Sequence, residues 1–371
     1  MNDSPPVGTH APAAAPRILI VKLTALGDIL HALPVARALR RRFPTAYIAW
    51  AVQTAADLLA SDPDLDAVID VGRGCGLVGG WRWYRGMKRQ LRSHRFDTAI
   101  DLQGLAKSGL VARASGAAAV VGFGGLNCRE LNWFFTTHRI VPPAGVHVAR
   151  QNLALLGHFG IETVLDIPGL HTTAEDETFA AALIRDHTAG TGAATFILVH
   201  PGVSRANKQW PADRFARLCE LMAGEFPCAV LLAGGSEVEQ ALCATIAART
   251  AGPRPPRVLP RMGLGRFAAL VKRARLFVGH DSGPTQMAFH AGVPSVFLFG
   301  PTLPWRNGAY ACATGRGINI VASPEHVARQ TRPYVRDTGL MERIEPAAVM
   351  EAVRTLLQSP GAGTARLTPG P

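Results

Sequence analysis

"RILIVKLTALGDILHALPVARALRRRFPTAYIAWAV", residues 17–52, decides the fold class. RILIVKL (17–23) is a short continuous apolar run, as in a strand buried on both faces. The turn TALGD follows. Ile29, Leu30, Leu33, Val35, Ala36 and Leu39 then recur at mainly helical spacing as far as RRRFP, and AYIAWAV (46–52) reads as the next strand. Strand, turn, helix and strand in that order predict a parallel sheet covered by helices.

The rhythm continues on either side of this unit. ADLLASDP is a short helix, LDAVIDV (65–71) a strand and WYRGMKRQLRSHR a basic helix. FDTAIDLQG (96–104) is a strand ending in Asp101, followed by the helical LAKSGLVARASG. The pattern restarts at TFILVHPG (195–202) and passes through the strands CAVLLAGG (228–235), LFVGHDSGP (276–284) and PSVFLFGP (294–301) with helices between them. The expected fold is α/β: two tandem Rossmann-like, doubly wound domains with a cleft between them. The expected boundaries are a disordered leader (1–16), a first domain (17–190), a second domain (191–344), a final helix (345–358) and a disordered tail (359–371). A hinge is placed near Ala189 to Ala194. Ligands in such a pair belong beyond the carboxyl ends of the strands.

Composition narrows the partners. The chain has 371 residues, 48% of them hydrophobic, which is ample for two cores. Only 18% are charged, yet the net charge is +12, which points to an acidic partner. No nucleic-acid recognition motif accompanies that charge. The six cysteines lie at no metal-ligand spacing and read as reduced thiols. The leader has an acid at position 3, several prolines and no long apolar core, unlike a signal peptide. No apolar run reaches the ~18 residues of a membrane span, so membrane contact is expected to be peripheral.

Four segments carry candidate chemistry. Asp28 sits where the first strand gives way to a helix, flanked in sequence by Lys22, His31, Arg37, Arg40, Arg41 and Arg42. It is either a helix cap or a general base facing the cleft. AGGSEVE is a glycine turn opening a helix, with Glu237 and Glu239 as candidates for ribose hydroxyls. In VGHDSGPTQMAFHAGVP, Asp281, Ser282 and Gly283 form a second strand-to-helix turn, which is either a simple cap or an oxyanion site. HPGVSRANKQWP offers Ser204, Arg205 and Lys208, either as a solvated basic loop or as cations for a pyrophosphate. His280 and His290 have no third ligand at suitable spacing for a metal. In the first half, Asp101, Gln103 and Lys107 end a strand, and GFGGLNCRELNWFF supplies Arg129. Between Val71 and Phe96 there are seven basic residues, three aromatic residues (Trp81, Trp83, Tyr84) and no acid. That mixture suits either a solvated helix face or an anionic amphiphile at a membrane.

VKLTALGDILHALPVARALRRRFP, HPGVSRANKQWP, AGGSEVE and VGHDSGPTQMAFHAGVPSVFLFGPTLPWRNG, in that order, resemble the ADP-heptose lipopolysaccharide heptosyltransferases over about residues 17–357. The GDILHALP form is most similar to heptosyltransferase I. The resemblance implies a GT-B fold with the donor bound mainly by the second domain and the acceptor by the first. It implies inverting transfer of heptose from ADP-L-glycero-D-manno-heptose to the Kdo–lipid A inner core, with no cofactor, no metal and no nucleic acid. It further implies a cytoplasmic enzyme in peripheral contact with the inner membrane. By motif match Asp28 is the catalytic base. Ser204 and Lys208 contact donor phosphate. Glu237 lies near the ribose-binding acid, and a one-residue gap admits Glu239. Asp281, Ser282 and Gly283 form the donor turn. Lys107 and Arg129 match acceptor-side basic positions. Gln286 takes the place of a usual histidine on the donor side, and Leu303 that of a usual aspartate. The alternatives are a related GT-B transferase or epimerase using another nucleotide sugar, or a non-catalytic nucleotide- or lipid-binding relative.

Overall fold

The computed structural model describes residues 15–72, 77–162, 165, 167, 169–189, 193, 195–310, 316–323 and 339–358. Positions 1–14 of the expected leader, the tail and most of the expected hinge lie outside these residues. In chain order the first half contains β1 (Arg17–Val21), α1 (Leu26–Leu30), α2 (Leu33–Arg42), β2 (Tyr47–Val52), α3 (Ala56–Leu59), β3 (Ala67–Asp70) and α4 (Leu77–Ser93). It continues with β4 (Thr98–Asp101), α5 (Ala106–Ala114), β5 (Ala119–Phe123), β6 (His138–Ile140), α6 (Val148–Ala154) and α7 (Ala174–Thr188). The second half contains β7 (Thr195–His200), α8 (Ala212–Glu225), β8 (Cys228–Leu232), α9 (Glu237–Arg249), β9 (Arg257–Val258) and α10 (Leu264–Val271). Then come β10 (Leu276–His280), α11 (Gly283–His290), β11 (Ser295–Phe299), α12 (Pro304–Asn307), β12 (Gly317–Val321) and α13 (Pro346–Gln358).

Each half is built on a six-stranded sheet, ordered β3-β2-β1-β4-β5-β6 and β12-β11-β10-β7-β8-β9. Every pairing is parallel. Both orders are the doubly wound 3-2-1-4-5-6 order, in which the chain reverses direction beside the first strand. The reversal lies between β1 and β4 in one sheet and between β7 and β10 in the other. Asp28 follows β1 and Asp101 ends β4, while Ser204 follows β7 and Asp281 follows β10.

Alternation along the strands explains the layers. Leu19 and Val21 face a cluster with Met87 and Leu91 of α4 and Val111 of α5. Ile18 and Ile20 face the opposite way, into a cluster that also holds Leu198, Leu231, Phe277 and Phe297 of the second half. One apolar core therefore crosses from sheet to sheet. The outer face of the second sheet packs Val199, Val278 and Val296 against α8, α9 and α13. α7 is tied to α10 by Glu177 with Lys272 and Arg273, at 2.8 and 2.9 Å. Asp57 of α3 reaches across the halves and accepts from the Leu264 and Gly265 amides that begin α10, at 2.9 and 3.3 Å. Among the described residues Cys128, Cys219, Cys228 and Cys243 are free thiols.

The helix expected to run unbroken from Ile29 to RRRFP is two helices. α1 ends at His31 and α2 begins at Leu33, with Pro34 in its first turn. Proline is tolerated at the start of a helix because its missing amide has no partner there anyway. Four strands had no counterpart in the sequence pattern: β5, β6, β9 and β12.

Candidate active site

The switch points of the two sheets face each other across a cavity of about 300 Å³. Gly202 and Ser204 after β7, Gly234 and Glu239 after β8, and Asp281 and Ser282 after β10 line it from the second half. Ala25, Leu26 and Gly27 of the first half close it. The halves meet here through α1 and α11, and Gly283 allows the approach, whereas Gly27 has room for a Cβ. A Cβ on Gly283 would fall 2.8 Å from the Leu26 side chain, and one on Gly27 would meet Gln286 Cγ at 3.5 Å. Any larger residue at position 283 would push α1 away.

Asp28 is the residue after this contact. It occupies the first turn of α1, whose capping position is Ala25, and α1 has no side-chain cap. The capping role that the sequence allowed for Asp28 is thus not the one the structure gives it. Asp28 is half-buried and, among the described residues, its carboxylate accepts no hydrogen bond. Most of the cations beside it in sequence are elsewhere in space. Arg37 is paired with Asp64, Arg40 with Asp66, and Arg41 and Arg42 are exposed at the end of α2. The cation left near it is Lys22, 5% exposed, with Nζ donating to the Leu102 carbonyl at 2.7 Å. Burial lowers the Lys22 pKa, and the charges of Asp28 and Asp101 oppose that shift.

Gln103 holds the turn that leads to Asp28. Its Oε1 accepts from the Leu23 amide at 2.8 Å. Asp101, fully buried, accepts from Gln103, Gly104, Ser108 and Asn132, and burial raises its pKa. Its oxygens are committed to the local fold. Lys107 stands 5.7 Å from the Trp83 ring and donates to Gln53 at 3.0 Å. Arg129 is exposed on the same rim, and its charge is felt at Lys22.

On the second half the two acids of AGGSEVE separate. Glu239 lies on the cavity wall and completes a capping box with Ser236. Its Oε2 accepts from the Gly235 and Ser236 amides at 2.7 and 3.1 Å. Glu237 is off the wall, with its side chain 92% exposed, 3.5 Å from Arg261. Lys208 is not a loose basic residue. Its Nζ lies 2.9 Å from Asp281 Oδ2 and 3.2 Å from the Asp281 carbonyl, with both side chains largely buried. The pair fixes an ammonium near the amino end of α11. Ser282 is the capping residue of that helix, but its side chain makes no cap hydrogen bond. The first amides of α11, and the partial positive charge of its start, are thus directed toward the cavity side. Gln286 is buried and donates to the Asn307 carbonyl, which ties α11 to α12.

Two features had no place in the sequence-based expectation. Arg306 of α12 stands close enough to lower the pKa of Lys22, His31 and His147. It lies in GPTLPWRNG, just past a strand end, which is the signal that could have found it. The second is a seam of buried imidazoles joining the halves. His31 ends α1, His147 caps α6 and His290 ends α11, with ring centroids 4.9 Å (His31–His147) and 5.6 Å (His31–His290) apart. Tyr310 packs 4.6 Å from His147. Burial pushes His147 and His290 down to about 3 and lowers His31 well below its usual range. His280 is structural: its Nε2 accepts from the Trp210 amide at 2.9 Å. Among the described residues no three His, Cys, Asp or Glu side chains are grouped to hold a metal.

Residues 84–332 match the family model described as glycosyltransferase family 9 (heptosyltransferase). A lipopolysaccharide heptosyltransferase 1 of Pseudomonas aeruginosa is 31% identical, the match covering 79% of this chain and 81% of that one. The crystal structure of a family 9 glycosyl transferase from Veillonella parvula superposes with a TM-score of 0.77 at 22% identity, covering 92% of this chain and 97% of that one. The structure of E. coli heptosyltransferase WaaC with ADP-2-deoxy-2-fluoro heptose superposes with a TM-score of 0.69 at 20% identity, covering 91% and 99%.

Proposed function

This chain belongs to glycosyltransferase family 9, the heptosyltransferases, and has their GT-B fold; from that membership we propose that it transfers heptose from ADP-L-glycero-D-manno-heptose to the Kdo–lipid A inner core of lipopolysaccharide, with inversion and without a metal ion. The observation that carries this reading is the abutment of α1 on Gly283. It puts a carboxylate that has no hydrogen-bond partner among the described residues one residue from a cavity whose other wall is a helix amino end, a glycine turn and an acid. A relative that binds an ADP-linked fluoroheptose supports the donor class.

In the proposed reaction Asp28 takes the proton of an acceptor hydroxyl. That oxygen attacks the anomeric carbon from the face opposite ADP, and the bond to the diphosphate breaks as the new one forms. Lys208 and the first amides of α11 stabilise charge on the leaving diphosphate, with Ser204 and Asp281 on the same wall. Glu239 Oε2 is engaged with the turn amides, so Oε1 is the oxygen offered to the ribose. The ribose role falls to Glu239 rather than Glu237 on this account. Lys107 and Arg129 receive the anionic acceptor at the rim of the first half. The enzyme works at the cytoplasmic face of the inner membrane, where that acceptor is anchored. No described helix is long and apolar enough to cross a membrane.

Calorimetric titration tests the donor side. ADP is expected to bind at one site, with UDP weaker by tenfold or more. Lys208→Ala is expected to weaken ADP by roughly tenfold, the scale of one charge-assisted hydrogen bond. Equal binding of UDP, or a Lys208→Ala variant that binds ADP like the parent, contradicts the assignment. The two acids give a second comparison. Glu239→Ala is expected to raise the donor KM about tenfold, and Glu237→Ala to leave it within about twofold. Equal effects from the two would remove Glu239 from the ribose site.

A further inference from the structure

We propose that residues 126–141 of the first half form a rigid apolar wedge that docks on an anionic lipid bilayer, an inference that deepens, and rests on, the reading of a lipid-borne acceptor. Seven large apolar side chains are strongly exposed among the described residues, and five of them fall in this segment. Leu126 is 97% exposed, Phe134 75%, Val141 69%, Leu131 68% and Trp133 48%. They fall in two groups, Leu126 with Val141 and Leu131 with Trp133 and Phe134, on one short segment. Val141 stands against Gly124 and Gly125, next to Leu126. The Trp133 and Phe134 ring centroids are 6.1 Å apart.

The segment is held firmly, so the exposure is built in. Asn132 is fully buried between exposed Leu131 and Trp133. Its Nδ2 donates to Asp101 Oδ2 at 2.6 Å and to the Leu105 carbonyl at 2.7 Å. The Arg129 amide donates to the Gly104 carbonyl at 2.9 Å. The segment sits so close on α5 that a Cβ on Gly109 would come within 2.6 Å of Asn132. Glu130 and Leu131 adopt φ of 52° and 59°, a left-handed conformation that side-chain-bearing residues avoid. Buried polar anchors and an unfavourable backbone thus hold leucine, tryptophan and phenylalanine out in water. Exposed apolar side chains concentrated on one firmly held segment mark a docking surface.

The charge around the wedge chooses the occupant. Arg129 and Arg139 are exposed within it. Arg82, Arg85, Arg89 and Arg92 are exposed on α4, and no acid occurs between Asp70 and Asp97. The Lys107–Trp83 contact joins α4 to α5, and α5 carries the wedge. Apolar tips beside a basic field match the acyl boundary and headgroups of an anionic bilayer. The wedge is on the rim that carries Arg129, so docking would present the cleft to a membrane-borne acceptor.

The test is flotation of the full chain with vesicles of phosphatidylethanolamine and phosphatidylglycerol, and with vesicles of phosphatidylcholine alone. Binding to the anionic vesicles is expected, at least tenfold stronger than to the neutral ones. Trp133→Ser with Phe134→Ser is expected to cut anionic-vesicle binding at least tenfold while heptosyl transfer to a water-soluble, acyl-free acceptor stays within twofold. Leu126→Ser, at a position with almost no packing, is expected to cut binding severalfold with an unchanged melting curve. Absence of vesicle binding, or variants that bind like the parent, overturns the proposal. So does a dimer that these substitutions dissociate, since the wedge would then cover a second copy. Vesicle binding needs neither donor nor acceptor, so its failure is separable from failure of the transfer reading.

Discussion

Asp28→Ala is expected to lower heptosyl transfer by roughly two or more orders of magnitude, the scale of losing a general base, while ADP binds as tightly as before. The geometry dictates both halves of this outcome. Asp28 accepts no hydrogen bond among the described residues and does not cap its helix, so its removal leaves no buried donor unpaired there. The cavity proposed for the donor is walled by Gly27, Glu239, Asp281 and their neighbours, and Asp28 is not part of that wall. Stopped-turnover product counts and an ADP titration on the same preparation separate the two effects. Undiminished transfer by the variant would remove Asp28 from the chemistry. Lost ADP binding would show it to be a donor ligand or a structural group.

The second large effect is on stability below neutral pH. Burial holds His147, His280 and His290 at about 3, and His31 well below the model-peptide value of ~6.5. An unfolded chain takes up protons on these rings as pH falls past ~6.5, and the folded chain does not. Stability is therefore full above that pH and declines as pH drops toward the folded values. The slope is about 1.4 kcal/mol per pH unit for each such ring. The seam between α1, α6 and α11 is where the first proton would be most disruptive, because Lys22 and Arg306 already place positive charge beside His31. Urea unfolding at pH 7.5 and 5.5 should show a loss of several kcal/mol in the parent. His290→Leu, which removes a ring with no hydrogen-bond partner among the described residues, should reduce the slope by about one ring's share. A parent whose stability is flat across that interval contradicts the assignment of these rings as neutral.

The central strands were readable because each is a run of apolar residues with helices on both sides. Two of the missing strands, β6 and β9, fail that criterion, whereas β5 (AVVGF) is an apolar run paired on both sides. β6 is three residues with two exposed, and β9 is two residues. Edge strands of this length pair on one side only and carry no usable periodicity. The break between α1 and α2 was signalled by Pro34, within what reads as continuous helical spacing. The placement of Glu239, rather than Glu237, on the cavity wall was legible in S-x-x-E alone, since a capping box places its fourth residue back over the helix start. No local pattern could reveal the Lys208–Asp281 pair or the imidazole seam. Lys208 and Asp281 are 73 residues apart in the chain, and the seam draws on three separate helices. The field around Asp28 was misjudged for the complementary reason. Arginines adjacent in sequence are carried away along α2 to acids of their own.

The most direct test is mass spectrometry of Kdo–lipid A after incubation with the purified chain, with ADP-heptose and UDP-linked sugar run side by side and Asp28→Ala as control. The account predicts a single heptose added from the ADP-linked donor, with inverted anomeric configuration, and none from the UDP-linked donor or with the variant. A product from the UDP-linked donor alone, retained configuration, or no heptose added by the parent chain would contradict it.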